Sequence, residues 1–332
     1  MKKFIDEKGI FEISVPATWK YTLIDGKIHT FQEYQIWKSD AFQISICDLE
    51  TEEERSRFLS IHETDKKKSI GEKECCFASD SDSGDFKVNT WVAMYDSKMV
   101  IFTFTNPVNP DPDLDCRTME DKITLAETCI KSFKLIDATY SKSKIDSYRF
   151  EMFLQGVGAT SLILSNAISN KAFIEATCIL ASQIDALLRT GIILKKQIDN
   201  SNSDIDVEWI YQGLSDKKKS EKDIYREALN LGIIDNDTLD KLYILYNDRN
   251  RVIHRFIISE ITLAEVEEIA YKYNEQSKLI NEIIFDLERE QIKNNVGMTR
   301  TSKKGENNDE DSSFGFIKGK IGINEYFERI DG

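Results

Sequence analysis

The sequence predicts two folded regions of different class: an α+β region with an antiparallel sheet, then an all-helical bundle. Three observations predict this. Before about residue 137 apolar residues alternate at period two, and beyond about residue 173 they recur at helical spacing. A small, polar and charged stretch, 138–149, separates the patterns and reads as a linker. The chain has 332 residues, more than one ordinary core holds.

The elements follow in order. Phe11, Ile13 and Val15 alternate with Glu12 and Ser14, the period of a half-buried strand, and Pro16 stops it before Trp19. Phe42, Ile44 and Ile46 alternate in the same way. Trp91, Ala93 and Tyr95 lead through Asp96-Ser97-Lys98 into Met99 to Phe104, which predicts a hairpin. The charged stretches Thr51 to Lys68 and Arg117 to Ser132 predict helices. The second carries Met119, Ile123, Ala126 and Ile130 on one face, and a short strand follows over Phe133 to Ile136. Sheet and helices without strict alternation make an α+β domain over 1–137. Its histidines, His29 and His62, are isolated and read as surface residues.

Residues 11–19, Phe-Glu-Ile-Ser-Val-Pro-Ala-Thr-Trp, and 129–134, Cys-Ile-Lys-Ser-Phe-Lys, resemble the opening and closing of PsbP/DcrB-like domains. The resemblance implies a small binding or scaffold module with a partner surface and no reaction of its own.

In the region 150–293, Phe173, Thr177, Leu180, Ile184, Leu187 and Gly191 recur at helical spacing, widened by Ile174, Ala181 and Leu188. Ile224, Ala228 and Leu229 predict another helix, ended by Gly232. Leu239, Leu242, Tyr243 and Tyr246 lead into a third. Thr262-Leu263-Ala264-Glu265 is a capping box that opens a long helix with Val266, Ile269, Tyr273, Ile280, Ile284 and Leu287 on one side. Together these predict a bundle of four or five helices.

One hexapeptide, Arg249-Asn250-Arg251-Val252-Ile253-His254, places a cation, an amide and a group that titrates near neutral pH on one helix. Arginine matches phosphoryl oxygens with its planar fork, and histidine moves protons at physiological pH. Asn250 and His254 are four apart and share a face. Arg249 is five before His254, about 140° round the helix. The two meet only if the arginine curls round, the helix distorts, or two chains build one site.

The arrangement Arg249-Asn250-x-x-x-His254, late in a helical bundle spanning Asn170 to Arg289, resembles the HEPN superfamily. Many HEPN proteins are metal-independent endoribonucleases of toxin–antitoxin, abortive-infection and phage-defence systems, usually dimeric, and others only bind. The resemblance implies that His254 assists attack of a ribose 2′-hydroxyl on phosphorus, Arg249 stabilises the phosphorane, and Asn250 orients His254 or the phosphate. Single-stranded RNA would then be the substrate, with a homodimer through the helical region. The bland alternatives are that Arg249 and Arg251 pair with Asp248 or Asp240 and that His254 is a partly buried packing histidine. Arg251, Arg255 and the basic run Lys217, Lys218, Lys219 are candidate RNA contacts, or a solvated loop.

After a polar tether, 294–313, the segment 314–332 returns to apolar residues, with Phe314, Phe316, Ile321, Tyr326 and Phe327 as candidate partner contacts. It resembles the C-terminal tails of small antitoxins, with Asn324-Glu325-Tyr326 where those have an acidic pair, and packing on its own domain is the alternative.

The net charge of −14 argues against coating nucleic acid by bulk electrostatics, while leaving room for a local basic patch. The six cysteines, Cys47, Cys75, Cys76, Cys116, Cys129 and Cys178, have no zinc or C-x-x-C spacing, so free thiols and no metal or cofactor are expected. The first residues lack an apolar signal region, and the apolar stretch Met152 to Ile168 is short for a membrane span. A soluble cytoplasmic protein that does not span a membrane is expected.

Overall fold

The computed structural model describes residues 1–33, 40–49, 51–61, 66–82, 86–95, 97–107, 117–212 and 219–299. They form two compact units, divided between Ser141 and Lys142. The first is α+β and the second is helical, as the periodicities predict.

The α+β unit has ten strands among its described residues: β1 (Lys2–Ile5), β2 (Phe11–Val15), β3 (Trp19–Ile24), β4 (Ile28–Glu33), β5 (Ala41–Asp48), β6 (Lys66–Ile70), β7 (Lys73–Asp82), β8 (Phe86–Tyr95), β9 (Lys98–Pro107) and β10 (Lys134–Leu135). Seven make one antiparallel sheet in the order β3-β4-β5-β9-β8-β7-β6, and β1-β2-β10 make a small one. Two helices, α1 (Glu52–Ile61) and α2 (Met119–Ser132), complete the unit. Register explains the core. Trp91 faces Phe102, which faces Ile44 on its other side, and Phe104 faces Phe42, so one sheet face is aromatic and aliphatic. The opposite face carries Thr90, Thr103 and Gln43 in one row. Phe11, Ile13 and Val15 of β2, with Ala126, Cys129 and Ile130 of α2, close the aromatic face.

Two expectations are corrected here. Lys66 to Lys68, read as the end of a helix, are the edge strand β6, and the helix stops at Ile61. A lysine-rich edge strand resists pairing with other chains, which accounts for its charge. His29, read as a surface residue, is buried at 7% exposure on β4. His62 lies outside the described residues.

The helical unit contains α3 (Ser141–Ser169, which begins in the first unit), α4 (Phe173–Asn200), α5 (Glu221–Asn230), α6 (Asn236–Arg255) and α7 (Leu263–Asn294). Residues 141–149, read as linker, are the first turns of α3. The α4 stripe packs along α7, whose Val266, Ile269, Tyr273, Ile280, Ile284 and Leu287 are all buried. A Cβ on Gly191 would sit 2.7 Å from Ile284 Cδ1, so the glycine permits the close approach of the two helices. Gly232 takes φ +67 just after α5, the left-handed stop its position predicts. The Thr262 box forms: its hydroxyl accepts from Glu265 N at 3.2 Å, and Thr262 N donates to Glu265 at 2.7 Å.

Two described helices are long and apolar enough to cross a membrane. In α4 67% of the apolar window is buried, as in a core helix, whereas in α3 only 22% is. The stretch read as too short for a span is therefore part of a 29-residue helix.

Candidate functional site

The core-facing stripe of α6 runs Thr238, Leu242, Leu245, Val252. Spacings of three and four put Arg249 on that same stripe, between Leu245 and Val252. A guanidinium facing a core needs a partner, and Glu221, the first residue of α5, supplies it. Arg249 Nη1 donates to Glu221 Oε2 at 2.6 Å. Glu221 is held where a carboxylate is favoured, in the first turn of a helix. Ser220 caps that helix: its hydroxyl accepts from Asp223 N at 3.3 Å, and its own N–H donates to Asp223 at 2.9 Å.

The second oxygen of Glu221 accepts the Tyr225 hydroxyl one turn on. Burial, and then the Glu221 charge, push the Tyr225 phenol far above its ordinary value, so it stays a donor. Burial is the largest influence and works against the charge on Arg249, but Glu221, Tyr273 and Tyr225 together outweigh it and the net shift is upward. Tyr273 of α7 donates to Leu245 O at 2.8 Å beneath the same stripe, its phenol also raised, chiefly by burial.

On the open side Arg249 Nη2 donates to Asn250 Oδ1 at 3.2 Å, and the guanidinium lies 4.9 Å from the Tyr246 ring centroid. Lys222 sits 4.5 Å from the same ring. Two cations thus flank one tyrosine, an arrangement worth about 0.5–1 kcal/mol per contact at exposed sites. The Nε of Arg249 is buried without a hydrogen-bond partner among the described residues.

The structure brings Arg249 and Asn250 together but leaves His254 apart. His254 is exposed, in the last turn of an unbroken helix, and has no hydrogen-bond or ion-pair partner among the described residues. The partly buried packing histidine considered above is thereby corrected. Arg249 pairs with neither Asp248 nor Asp240; Arg251 does pair with Asp248, at 3.3 Å, and approaches Glu265 at 3.7 Å. Arg255 is exposed at the end of α6. Lys219 stacks 3.8 Å from the Trp209 ring and pairs with Glu208 at 3.2 Å. Lys217, Lys218 and the tail residues Phe314, Phe316, Ile321, Tyr326 and Phe327 lie outside the described residues.

Sequence reasoning missed Glu221, Tyr225, Lys222 and Tyr246 as members of this cluster. A signal existed: Glu221 and Lys222 follow Ser220, an N-cap residue with an acid three positions later.

No family model matches the chain, and no curated protein matches it. Among solved structures it is similar to a crystal structure from Bacteroides thetaiotaomicron VPI-5482, with 12% identity and a TM-score of 0.32 over 82% of this chain and 97% of that one. It is also similar to the solution structure of cyanobacterial PsbP (CyanoP) from Synechocystis sp. PCC 6803, with 13% identity and a TM-score of 0.29 over 41% of this chain and 92% of that one. The latter shares its name with the family that residues 1–137 resemble by motif; TM-scores of this size carry no argument of their own.

Proposed function

We propose that the helical unit is an HEPN-type endoribonuclease module, completed by a second copy of the chain, with the α+β unit as its regulatory or sensing module. The observation that carries this reading is the division of labour along α6. Arg249 is fixed by Glu221 and Asn250, while His254, about 140° away, stands exposed and unpartnered among the described residues. A two-fold pairing of α6 would bring His254 of one chain to Arg249 and Asn250 of the other. Ile257 and Ile258, three and four residues after His254, are 93% and 80% exposed, which supports a covering partner there. Lys222 and Arg249, both over the Tyr246 ring, offer two cations for phosphate contacts. The proposed setting is the cytoplasm; among the described residues Cys47, Cys75, Cys129 and Cys178 are free thiols, which supports it.

A second reading, a non-catalytic dimerisation and partner-binding module, is favoured by one observation. The Arg249 charge is already matched by Glu221 at 2.6 Å.

The test is cleavage of single-stranded RNA with EDTA present. His254→Ala should lower the rate by about 10²- to 10⁴-fold, the usual contribution of a positioned acid–base group. Its stability should stay within about 0.5 kcal/mol of wild type, because the side chain is exposed. Co-assembly of His254→Ala chains with Arg249→Gln chains should restore cleavage, since each mixed dimer holds one intact composite site. Equal cleavage by wild type and His254→Ala removes the enzyme, and absence of complementation removes the composite site.

A further inference from the structure

A second site, independent of the reading above, lies within the α+β unit. A cavity of about 550 Å³ opens between the β1–β2 loop, the β3–β4 hairpin and the end of β5. That is within the roughly 300–1,000 Å³ of small-molecule sites. Ile10, Tyr21, Leu23 and Ile46 give it an apolar wall, and charged side chains, Glu7, Lys8, Lys27, Asp48 and Lys98, line the rest. Asp25 and Gly26 both take positive φ in the hairpin turn, and the register they set places His29 opposite Leu23, facing the cavity with Tyr21 and Ile46.

The polar end of the cavity is built from buried groups. The Asp6 side chain is 3% exposed and that of His29 9%. Asp6 Oδ2 accepts from the amides of Lys8 at 3.0 Å and Ile10 at 3.3 Å, which fixes the carboxylate. The Tyr21 hydroxyl lies 3.0 Å from His29 Nδ1, closer than Asp6 Oδ1 at 3.6 Å. Burial, with Asp6 and Glu7 nearby, pushes the Tyr21 phenol up to about 12, and burial pulls the imidazole below its ordinary value. The phenol stays protonated; with its hydroxyl donating to Nδ1, the ring's own proton is on Nε2. Nε2 has no hydrogen-bond partner among the described residues. The ring lines the cavity, so an acceptor from outside the chain can reach this nitrogen.

We propose that this cavity binds a small, mainly apolar molecule carrying one oxygen acceptor, taken by His29 Nε2–H while Tyr21, Leu23 and Ile46 enclose its body. Lys8, Lys27 and Lys98 would receive a carboxylate although Asp6, Glu7 and Asp48 line the same cavity, and a neutral ring suits a carbonyl. Both present the same oxygen acceptor.

Saturation-transfer NMR on the full chain, with benzoate and acetophenone as probes, tests this. Wild type should transfer saturation to at least one probe. Transfer to benzoate alone identifies a charged oxygen, and transfer to acetophenone alone a neutral one; either supports the site. Leu23 is 40% exposed, so Leu23→Trp fills the cavity without disturbing a core, and transfer should be lost. His29→Gln should weaken it. No transfer to either probe, or undiminished transfer in Leu23→Trp, overturns the site. Undiminished binding in His29→Gln overturns the role of His29.

Discussion

Each unit contains a shielded ion pair that links distant parts of its chain, and the two pairs differ in how completely they are enclosed. In the α+β unit Lys122 of α2 meets Asp40 at 3.1 Å, with side chains only 4% and 5% exposed, and Arg117 approaches the same carboxylate at 3.8 Å. In the helical unit Arg249 and Glu221 meet at 2.6 Å but remain 20% and 13% exposed. A further cation, Lys222, shares the Tyr246 ring beside that pair, and the Nε of Arg249 lacks a partner among the described residues. A closed pair ties two elements together. An open, partly exposed pair holds a charge where an incoming anion can reach it. Burial therefore distinguishes a tie from a candidate site more clearly than the presence of an ion pair does.

The largest expected effect breaks the closed pair. Asp40→Ala removes the buried carboxylate that Lys122 and Arg117 share, and removing one partner of a buried pair costs about 3–5 kcal/mol. Urea unfolding followed by tryptophan emission should show the loss, since Trp19 and Trp91 lie in that core. A cost below about 1 kcal/mol, the range of surface pairs, would erase the contrast between the two clusters.

A smaller effect is expected at the open pair. Glu221→Gln keeps an acceptor for Tyr225 but removes the charge opposite Arg249. The loss should be about 1.5–3 kcal/mol, the range for a hydrogen bond to a charged group. Under the nuclease reading the same change should tighten binding of single-stranded RNA in a filter or fluorescence assay, because the Arg249 charge is released. Weaker RNA binding in Glu221→Gln would instead make Glu221 part of the binding surface and Arg249 a packing residue.

What was legible in the sequence follows the range of the interactions. Phe11, Ile13 and Val15 announce β2 because their burial is set by alternation within five residues. Thr262 and Glu265 announce α7 because both partners of the cap lie in one turn. The strand β3 was not legible: after Trp19 its residues are largely exposed, so no apolar alternation marks it. Its hairpin did leave a signal in Asp25-Gly26, the dipeptide suited to positive φ. The partners of the key polar groups were hidden for a different reason. Glu221 lies 28 residues before Arg249, and Asp6 lies in the β1–β2 loop while His29 is in the large sheet. A motif within one helix shows which residue types are present, and only the fold shows which of them are paired.

The smallest expected effect concerns His29, where opposing causes partly cancel. Burial lowers its pKa below 6.5 and Lys8 adds to that, while the charge of Asp6 raises it. The net direction is downward, so the unfolded chain takes up this proton at higher pH than the folded one. The contribution of His29 is therefore present in full above pH 6.5 and is lost as pH falls from there through the lower folded value. Tyr21 faces the ring from β3, Asp6, Glu7 and Lys8 from the β1–β2 loop and Lys27 from the hairpin turn. His29→Gln keeps an acceptor for Tyr21 and removes the titration. Thermal melts of wild type and His29→Gln at stepped pH should diverge just below pH 6.5, with wild type losing stability faster. Parallel curves would mean that Asp6 cancels the burial completely. Steeper loss in the variant would mean that the buried ring is the cation, paired to Asp6, and would bring this cluster closer in kind to the closed pair of Asp40 and Lys122.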